Sequence, residues 1–261
     1  MYPILFRIGS VPFYTYTAAL YAGALTALGL MLWQAPQRGL RRERVTWAAI
    51  WSLAGAIIGG RLAHVALHWA AYSAQPAAIW RSWGEGLAFP GALLGGLAAL
   101  AGYAACRRAS FWALADLGAL GLAVGQAWGW LGALLHGSQY GRAVYGGWSW
   151  ALPDLYGVVL PRYPTQAVAL AASLASAATL WALRRQLRPG GLLALLLLLQ
   201  GLALGLLQPT RGDDLAQGAQ AFYLVEAGAG LALGLWTQRH VLDARRLRRP
   251  AEIEYHPSEG S

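Results

Sequence analysis

Polar side chains inside long apolar stretches are the first candidates for chemistry in this chain. They are Arg61, His64, Asp116, Gln200 and Glu226. Ionisable groups are costly to bury in a membrane, so those that occur there are functional candidates. One interpretation is an internal polar network that ties helices together. The other is a polar cavity open to the outer lipid headgroups, in which Arg61 would attract a phosphate.

A second candidate is the motif between His136 and Arg142, which reads His-Gly-Ser-Gln-Tyr-Gly-Arg. Its two glycines permit tight turns of the backbone. Arg142 would lie at headgroup depth, where a guanidinium is well placed to bind a lipid phosphate. An ordinary interfacial anchor, made by Tyr140 together with Arg142, is the alternative.

Two further motifs contain an arginine. Residues 162–166 read Arg-Tyr-Pro-Thr-Gln and begin with Arg162, and residues 208–214 read Gln-Pro-Thr-Arg-Gly-Asp-Asp and contain Arg211. Helix capping explains the first equally well, and a solvated loop explains the second. Both therefore remain candidates for binding an anion.

The composition fits a membrane protein. Of 261 residues, 57% are hydrophobic and 12% charged, whereas soluble domains carry roughly 25% charged residues. All 20 Lys and Arg residues are Arg, which excludes lysine chemistry such as a Schiff base. The single cysteine, Cys106, excludes an intramolecular disulfide and a cysteine-rich metal site. We expect no metal and no cofactor. We also expect no nucleic-acid partner, because the arginines lie in short clusters between apolar runs, which fits loops facing anionic lipid.

Seven apolar segments of about 20 residues predict an all-α membrane protein with seven transmembrane helices. Such segments are too long and too continuously apolar for the strands of a membrane barrel. They cover approximately 14–33, 45–67, 86–105, 111–135, 166–183, 190–207 and 221–237. We expect one transmembrane domain over 1–237, with a long outer loop at about 136–165, and a basic, then polar and mobile, cytoplasmic tail over 238–261.

The arginines also predict the orientation of the chain in the membrane. The N-terminus and the loops after the second, fourth and sixth segments together hold five arginines: Arg7, Arg81, Arg142, Arg162 and Arg211. The loops after the first, third and fifth segments, together with the C-terminal tail, hold fourteen: Arg38, Arg41, Arg42, Arg44, Arg107, Arg108, Arg184, Arg185, Arg188, Arg239, Arg245, Arg246, Arg248 and Arg249. Because positive loops stay cytoplasmic, we expect the N-terminus outside and the C-terminus in the cytoplasm.

Taken in order, the motifs resemble those of the bacterial prolipoprotein diacylglyceryl transferases, from about Pro3 to Trp236. The most specific stretch is 129–142, which looks like the family signature Gly-Arg-Ile-Gly-Asn-Phe-Ile-Asn-Gly-Glu-x-Trp/Tyr-Gly-Arg. Residues 162–166 and 211–213 look like the family's Arg-His-Pro-Ser-Gln and Arg-Gly-Asp. Shorter similarities are Tyr14-Thr-Tyr16, Gly59-Gly-Arg-Leu62, Ala88 to Gly95 and Ala115-Asp-Leu117.

Several positions depart from the family pattern. Pro90 stands where the family has a histidine, Trp130 and Leu204 stand where it has arginines, and Ser138 stands where it has a glutamate. The resemblance implies that these four positions share one site. His136 and Arg142 are the catalytic candidates that remain. The phospholipid-binding candidates are Arg61, Asp116, Arg142, Arg162 and Arg211.

The resemblance implies transfer of a diacylglyceryl group from phosphatidylglycerol to the lipobox cysteine of a prolipoprotein signal peptide. The implied partners are phosphatidylglycerol, prolipoprotein signal peptides and membrane lipids, and the implied location is the bacterial inner membrane. One alternative is a catalytically lapsed member that binds phospholipid or precursor. A second is an unrelated seven-helix transporter or assembly factor.

Overall fold

The computed structural model describes residues 4–8, 11–81, 86–213 and 219–247. Within these ranges the chain forms nine α-helices and four short strands. In chain order the helices are α1 Thr15–Gln34, α2 Arg42–Leu67, α3 Trp69–Ala74, α4 Ala78–Arg81, α5 Phe89–Arg107, α6 Phe111–His136, α7 Thr165–Leu183, α8 Gly191–Leu207 and α9 Ala219–Leu247.

Six of the described helices are long and apolar enough to cross a membrane. They are α1, α2, α5, α6, α7 and α8, the last together with the short 3-10 turn that continues it to Thr210. These six correspond to the first six predicted segments. The helix α9 takes the place of the seventh but is not among the six. It is less apolar, since it carries Glu226 in its middle and polar side chains from Thr237 onward.

Two β-hairpins add to the expected all-α architecture. The strand β1 (Ile4–Ile8) pairs antiparallel with β2 (Val11–Tyr14) directly before α1. The strand β3 (Trp150–Pro153) pairs antiparallel with β4 (Val159–Arg162), inside the predicted outer loop. These strands are rich in aromatic and branched side chains, which favour extended backbone. Each is too short to stand out in a search for long apolar segments.

The last helix continues well past its predicted end. The seventh segment was expected to end at about 237 and the tail to begin there, yet α9 runs on to Leu247. The predicted tail is therefore helical at its start. The rest of that tail, including Arg248 and Arg249, lies outside the described residues.

The helix α6 is the centre of the bundle and packs against α1, α7 and α8. Its side chains Leu114, Leu117 and Leu120 are almost fully buried in the main apolar core. Burial of such leucines contributes roughly 1.5–3 kcal/mol each relative to exposure. The same helix carries Asp116 near one end and His136 at the other.

Glycines allow α2 and α5 to pack closely in antiparallel directions. Gly55 and Gly59 on α2 face Gly95 and Gly91 on α5, and a methyl group at Gly59 would overlap the carbonyl oxygen of Gly91. Small residues at such seams let membrane helices approach backbone to backbone. The seam fixes the start of α2 beside the end of α5.

The loops gather at two ends of the bundle. One end holds the turns after α1 and α7, where Arg38 donates a hydrogen bond to the carbonyl oxygen of Arg184 at 3.2 Å. We call it the arginine-rich end. The other end holds both hairpins and the turn after α8, and we call it the hairpin end. His136 lies at the hairpin end.

Candidate active site

Three backbone segments meet at the hairpin end and bring the three sequence motifs together. Residues 140–144 pair with 210–212 on one side through a bridge between Gly141 and Arg211. They pair with 161–163 on the other side through a bridge between Ala143 and Arg162. A side chain at position 141 would collide with the carbonyl oxygen of Tyr163. Residues 140–144, which lie between the other two segments, therefore need glycine at this position.

Arg162 is buried in this arrangement, and two of its three guanidinium nitrogens donate hydrogen bonds. It donates to the carboxylate of Asp154 at 2.9 Å and to the carbonyl oxygen of Gly141 at 3.3 Å. It also lies over the ring of Tyr140, 4.6 Å from the centroid. Arg162 therefore holds the outer loop in place, and its charge is neutralised by protein rather than available to a lipid.

Arg211 is also paired within the protein. Its guanidinium donates to both carboxylate oxygens of Asp213 and, at 3.4 Å, to the side-chain oxygen of Gln208. Its side chain is 9% exposed, so the charge is largely shielded from lipid. Arg211 fixes the turn after α8 beside residues 140–144.

Arg61 is buried and binds backbone carbonyl groups. Its guanidinium donates to the carbonyl oxygens of Ala78, Ile79 and Gly86 at 3.1 to 3.4 Å. It lies 5.2 Å from the ring centroid of Tyr72. Arg61 therefore ties the connection between α2 and α5 to the bundle, which matches the polar-network interpretation of this residue.

The structure separates Asp116 from the other predicted lipid-binding residues. Its carboxylate accepts hydrogen bonds from the backbone N–H groups of Gly190, Leu192 and Leu193 and lies 3.5 Å from Arg38. His136 is at the opposite end of α6, about 30 Å away at 1.5 Å per residue. Asp116 caps the start of α8 at the arginine-rich end, so it does not share a site with His136.

Arg142 differs from the other three arginines. Its side chain is exposed and its guanidinium lies over the ring of Tyr163, 5.4 Å from the centroid. Among the residues that the structure describes, no carboxylate or carbonyl group pairs with it. A guanidinium that is held by a ring face and keeps its donors free can bind a phosphate in a bidentate manner.

His136 lines a cavity of about 500 Å³ at the same end. Its ring meets the ring of Tyr14 edge to face, with centroids 5.7 Å apart, and the ring of Tyr16 lies 6.0 Å away. Ile4, Thr17 and Leu155 complete the lining, so an imidazole faces a largely apolar space.

Four buried polar atoms near residues 136–142 have no hydrogen-bond partner among the described residues: Nδ1 of His136, Oγ of Ser138, Nε of Arg162 and Oε1 of Gln166. Other such atoms lie elsewhere in the bundle, among them those of Gln200 and Glu226. The other end of the Gln166 amide donates to the carbonyl oxygen of Ser138 at 2.8 Å. Buried polar groups are nearly always hydrogen-bonded. The four atoms near residues 136–142 are therefore available to a polar ligand.

Tyr140 lies between these groups and stays neutral. Desolvation and the neighbouring Asp154 carboxylate raise the pKa of the Tyr140 phenol above its ordinary value, against the opposing effect of Arg162. The hydroxyl of Tyr140 is therefore uncharged. The face of its ring contacts the guanidinium of Arg162.

Trp130 and Leu204, two of the four substituted positions, lie in one apolar cluster. The cluster joins five helices and consists of Phe89, Trp130, Ala169, Leu204, Leu207, Phe222 and Tyr223. Pro90 directly follows one of its members. Ser138 instead belongs to the His136 loop. The place where the family resemblance implies two arginines is thus filled here by apolar side chains.

Of the remaining polar candidates of the helices, His64 is partly buried and Gln200 and Glu226 are buried. The ring of His64 stacks on that of His68, with centroids 4.3 Å apart. Gln200 on α8 and Glu226 on α9 are each about 4% exposed. None of the three is among the residues that line the His136 cavity.

Sequence reasoning missed two contributors to this site. Tyr163, on which Arg142 rests, stands where the family motif Arg-His-Pro-Ser-Gln has its histidine, and nothing in the sequence gives it a role. Asp154, the partner of Arg162, was an unassigned carboxylate in a loop. The spacing of eight residues between Asp154 and Arg162 carries no signal by itself, because it takes the hairpin of β3 and β4 to bring them together.

The fold and site define an α-helical membrane protein with several spans, which presents a free arginine and a histidine-lined cavity at one end. The family model for prolipoprotein diacylglyceryl transferase matches residues 3–237. The chain therefore belongs to the prolipoprotein diacylglyceryl transferase family.

Individual relatives agree with this assignment. The chain is 32% identical over 142 residues to the phosphatidylglycerol–prolipoprotein diacylglyceryl transferase of Bacillus velezensis, covering 54% of this chain and 52% of that protein. It is 35% identical over 154 residues to that of Acaryochloris marina, covering 58% and 55%. Transferase 2 of Clostridium perfringens is 31% identical over 168 residues, covering 62% and 64%. The chain thus spans about half the length of the first two relatives.

Proposed function

We propose that this chain transfers a diacylglyceryl group from phosphatidylglycerol to the lipobox cysteine of a prolipoprotein, at the bacterial inner membrane. The relatives named above carry this activity in their names. The observation that carries the proposal is the guanidinium of Arg142. It is exposed at the hairpin end, rests on Tyr163 and has no partner among the described residues.

The reaction needs a thiolate and a stabilised leaving group. The sulfur of the substrate cysteine forms a bond to the terminal glyceryl carbon, and the carbon–oxygen bond to the phosphate breaks. The electron pair leaves with glycerol phosphate, and a thioether remains. Arg142 stabilises the charge that develops on the departing phosphate. His136 accepts the thiol proton, because an imidazole is suited to this task near neutral pH.

Arg162 and Arg211 position the backbone around Arg142. Arg162, held by Asp154, and Arg211, held by Asp213, fix the two segments that pair with residues 140–144. In this proposal they keep Arg142 at headgroup depth and do not touch the lipid phosphate. The His136 cavity, lined by aromatic and aliphatic side chains, accommodates the apolar part of a substrate.

The proposal includes a seven-span topology with α9 as the seventh span, the N-terminus outside and the outer loop facing the periplasm. The distribution of arginines supports this orientation, since five lie in one set of loops and fourteen in the other. A reporter fused after Trp236 tests it. Cytoplasmic reporter activity agrees with the proposal, and periplasmic activity contradicts it.

A second candidate function is lipid or precursor binding without turnover. The apolar cluster around Trp130 and Leu204 favours it, because a dry cluster offers no charge to a phosphate. Losing one preorganised donor to a developing charge costs about 2.7–4 kcal/mol. Losing two in the same place would remove a large part of the rate, although such losses do not add simply.

Complementation separates the two functions. A bacterial strain depleted of its own transferase is supplied with the wild-type chain, with Arg142→Ala, or with Arg7→Ala, which removes an exposed arginine from the same end. Growth with the wild type and Arg7→Ala but not with Arg142→Ala supports transfer. If the wild-type chain is present in the membrane but fails to restore growth and lipoprotein processing, the binding function is favoured.

A further inference from the structure

A second cavity, of about 410 Å³, lies at the arginine-rich end between the start of α2 and the end of α5. Four arginines line it, together with Trp47 and Cys106; they are Arg41, Arg44, Arg107 and Arg108. It is far from the candidate active site, which lies at the hairpin end. The glycine seam between α2 and α5 brings these arginines together, because it joins the two helices along their length.

The cavity has more positive charge than its own carboxylate can neutralise. Glu43 pairs with Arg41 at 3.2 Å, and both side chains are well exposed. The other three guanidinium groups have no hydrogen-bond or ion-pair partner among the described residues. Like charges around one opening repel each other unless an anion lies between them. Guanidinium groups that converge in this way suit a phosphate, which accepts several charge-assisted hydrogen bonds.

The position of the cavity favours a lipid phosphate over a free anion. Both α2 and α5 are candidate membrane spans, and the cavity lies where one begins and the other ends. Trp47 is 49% exposed beside it. A partly exposed tryptophan at a helix end is typical of headgroup depth. Anionic phospholipids are the phosphate-bearing groups concentrated at that depth.

We propose that this cavity binds the phosphate headgroup of an anionic phospholipid from the leaflet next to the arginine-rich end. The site is separate from the proposed transfer site and does not supply its substrate. The bound headgroup neutralises Arg44, Arg107 and Arg108 and holds the start of α2 against the end of α5.

Cys106 provides a reporter inside the cavity. It is the only cysteine of the chain, and its side chain is exposed. The purified full-length chain is placed in nanodiscs of phosphatidylcholine, with or without phosphatidylserine, and the rate of N-ethylmaleimide labelling is measured. At a lipid concentration ~10 times the dissociation constant, occupancy slows labelling about tenfold. Phosphatidylserine is used because it is anionic but is not the proposed diacylglyceryl donor.

Matched variants distinguish lipid binding in this cavity from a general effect of positive surface charge. Arg44→Gln combined with Arg107→Gln removes two cavity charges and abolishes the protection of Cys106. Arg185→Gln combined with Arg188→Gln removes two exposed arginines from the same end but outside the cavity, and it leaves the protection unchanged. Equal protection in both double variants would overturn the proposal. Circular dichroism confirms that each variant is folded.

The wild-type chain alone also tests the proposal. Labelling that does not slow when phosphatidylserine is added would overturn it. Inorganic phosphate is added to the phosphatidylcholine nanodiscs as a third arm. Protection by phosphate alone, to the same extent as by phosphatidylserine, would overturn the assignment to a lipid, whereas protection only by the anionic lipid supports it.

Discussion

The carboxylate of Asp154 binds the guanidinium of Arg162 across the β3–β4 hairpin, with Oδ2 and Nη2 2.9 Å apart. The other carboxylate oxygen accepts hydrogen bonds from the backbone N–H groups of Tyr156 and Val158. Asp154 therefore shapes the turn of the hairpin and neutralises Arg162 at once. This pair explains why one arginine of the outer loop is structural while its neighbour Arg142 stays free.

Removing either partner should destabilise the hairpin end. The two side chains are 7% and 10% exposed, and breaking a buried ion pair costs about 3–5 kcal/mol because one charge is left unpaired. Asp154→Asn and Arg162→Met should each lower the thermal unfolding temperature in detergent. The double variant should lose less than the sum of the two losses. Strictly additive losses would show that the two residues do not interact.

Asp116 should act as a structural cap and have no part in lipid chemistry. Asp116→Ala leaves three backbone N–H groups at the start of α8 without an acceptor, and an unsatisfied buried donor costs about 1–3 kcal/mol. We expect lower thermal stability but an unchanged transfer rate per folded molecule. Measuring both quantities on the same preparation separates the roles. A rate loss at full stability would instead favour a site role for Asp116.

The seam between α2 and α5 should tolerate no added methyl group. Gly91→Ala places a side chain against the backbone of α2, and such overpacking costs about 1–3 kcal/mol. The matched control is Gly102→Ala on the same helix, where an added methyl group meets no atom within 4 Å. It should raise stability by roughly 0.5–1 kcal/mol, because alanine is the better helix former. Thermal unfolding of the two variants checks the difference, and equal shifts would contradict this packing.

The long helices could be predicted from the sequence because an apolar run of this length has few other stable states in a membrane. The hairpins could not, since four or five residues carry too little pattern. The sequence also could not show which of four arginines is free to bind a phosphate: Arg61, Arg142, Arg162 or Arg211. Whether an arginine is free depends on partners such as Asp154 or Gly86, which only the folded chain brings near.

Asp116 illustrates this limit most clearly. Its position in an apolar run marks it as unusual, but its partners Gly190, Leu192 and Leu193 follow more than 70 residues later. From the sequence alone Asp116 was therefore grouped with the outer arginines as a candidate phospholipid-binding residue. The motifs at 136–142, 162–166 and 211–213 carry the family resemblance, and in the structure their backbones pair through the bridges Gly141–Arg211 and Ala143–Arg162.

His136 should matter most at low pH. If it accepts the thiol proton, His136→Ala slows transfer at pH 7, where a cysteine of ordinary pKa near 8.5 is mostly protonated. Above that pKa the substrate thiol ionises without help, so the ratio of wild-type to variant rate should fall as the pH rises from 7 to 9. Tyr14→Phe keeps the ring contact and serves as the control. A ratio that does not change with pH would contradict a proton-accepting role.

The most direct test is labelled diacylglyceryl transfer from phosphatidylglycerol to a lipobox peptide, measured with purified wild type, Arg142→Ala and Arg7→Ala. Losing one donor to a developing charge typically slows a reaction by about 10²–10³. The account predicts a measurable wild-type rate, a loss of this size for Arg142→Ala and little change for Arg7→Ala. A wild type without transfer activity, or an Arg142→Ala variant with the wild-type rate, would contradict it.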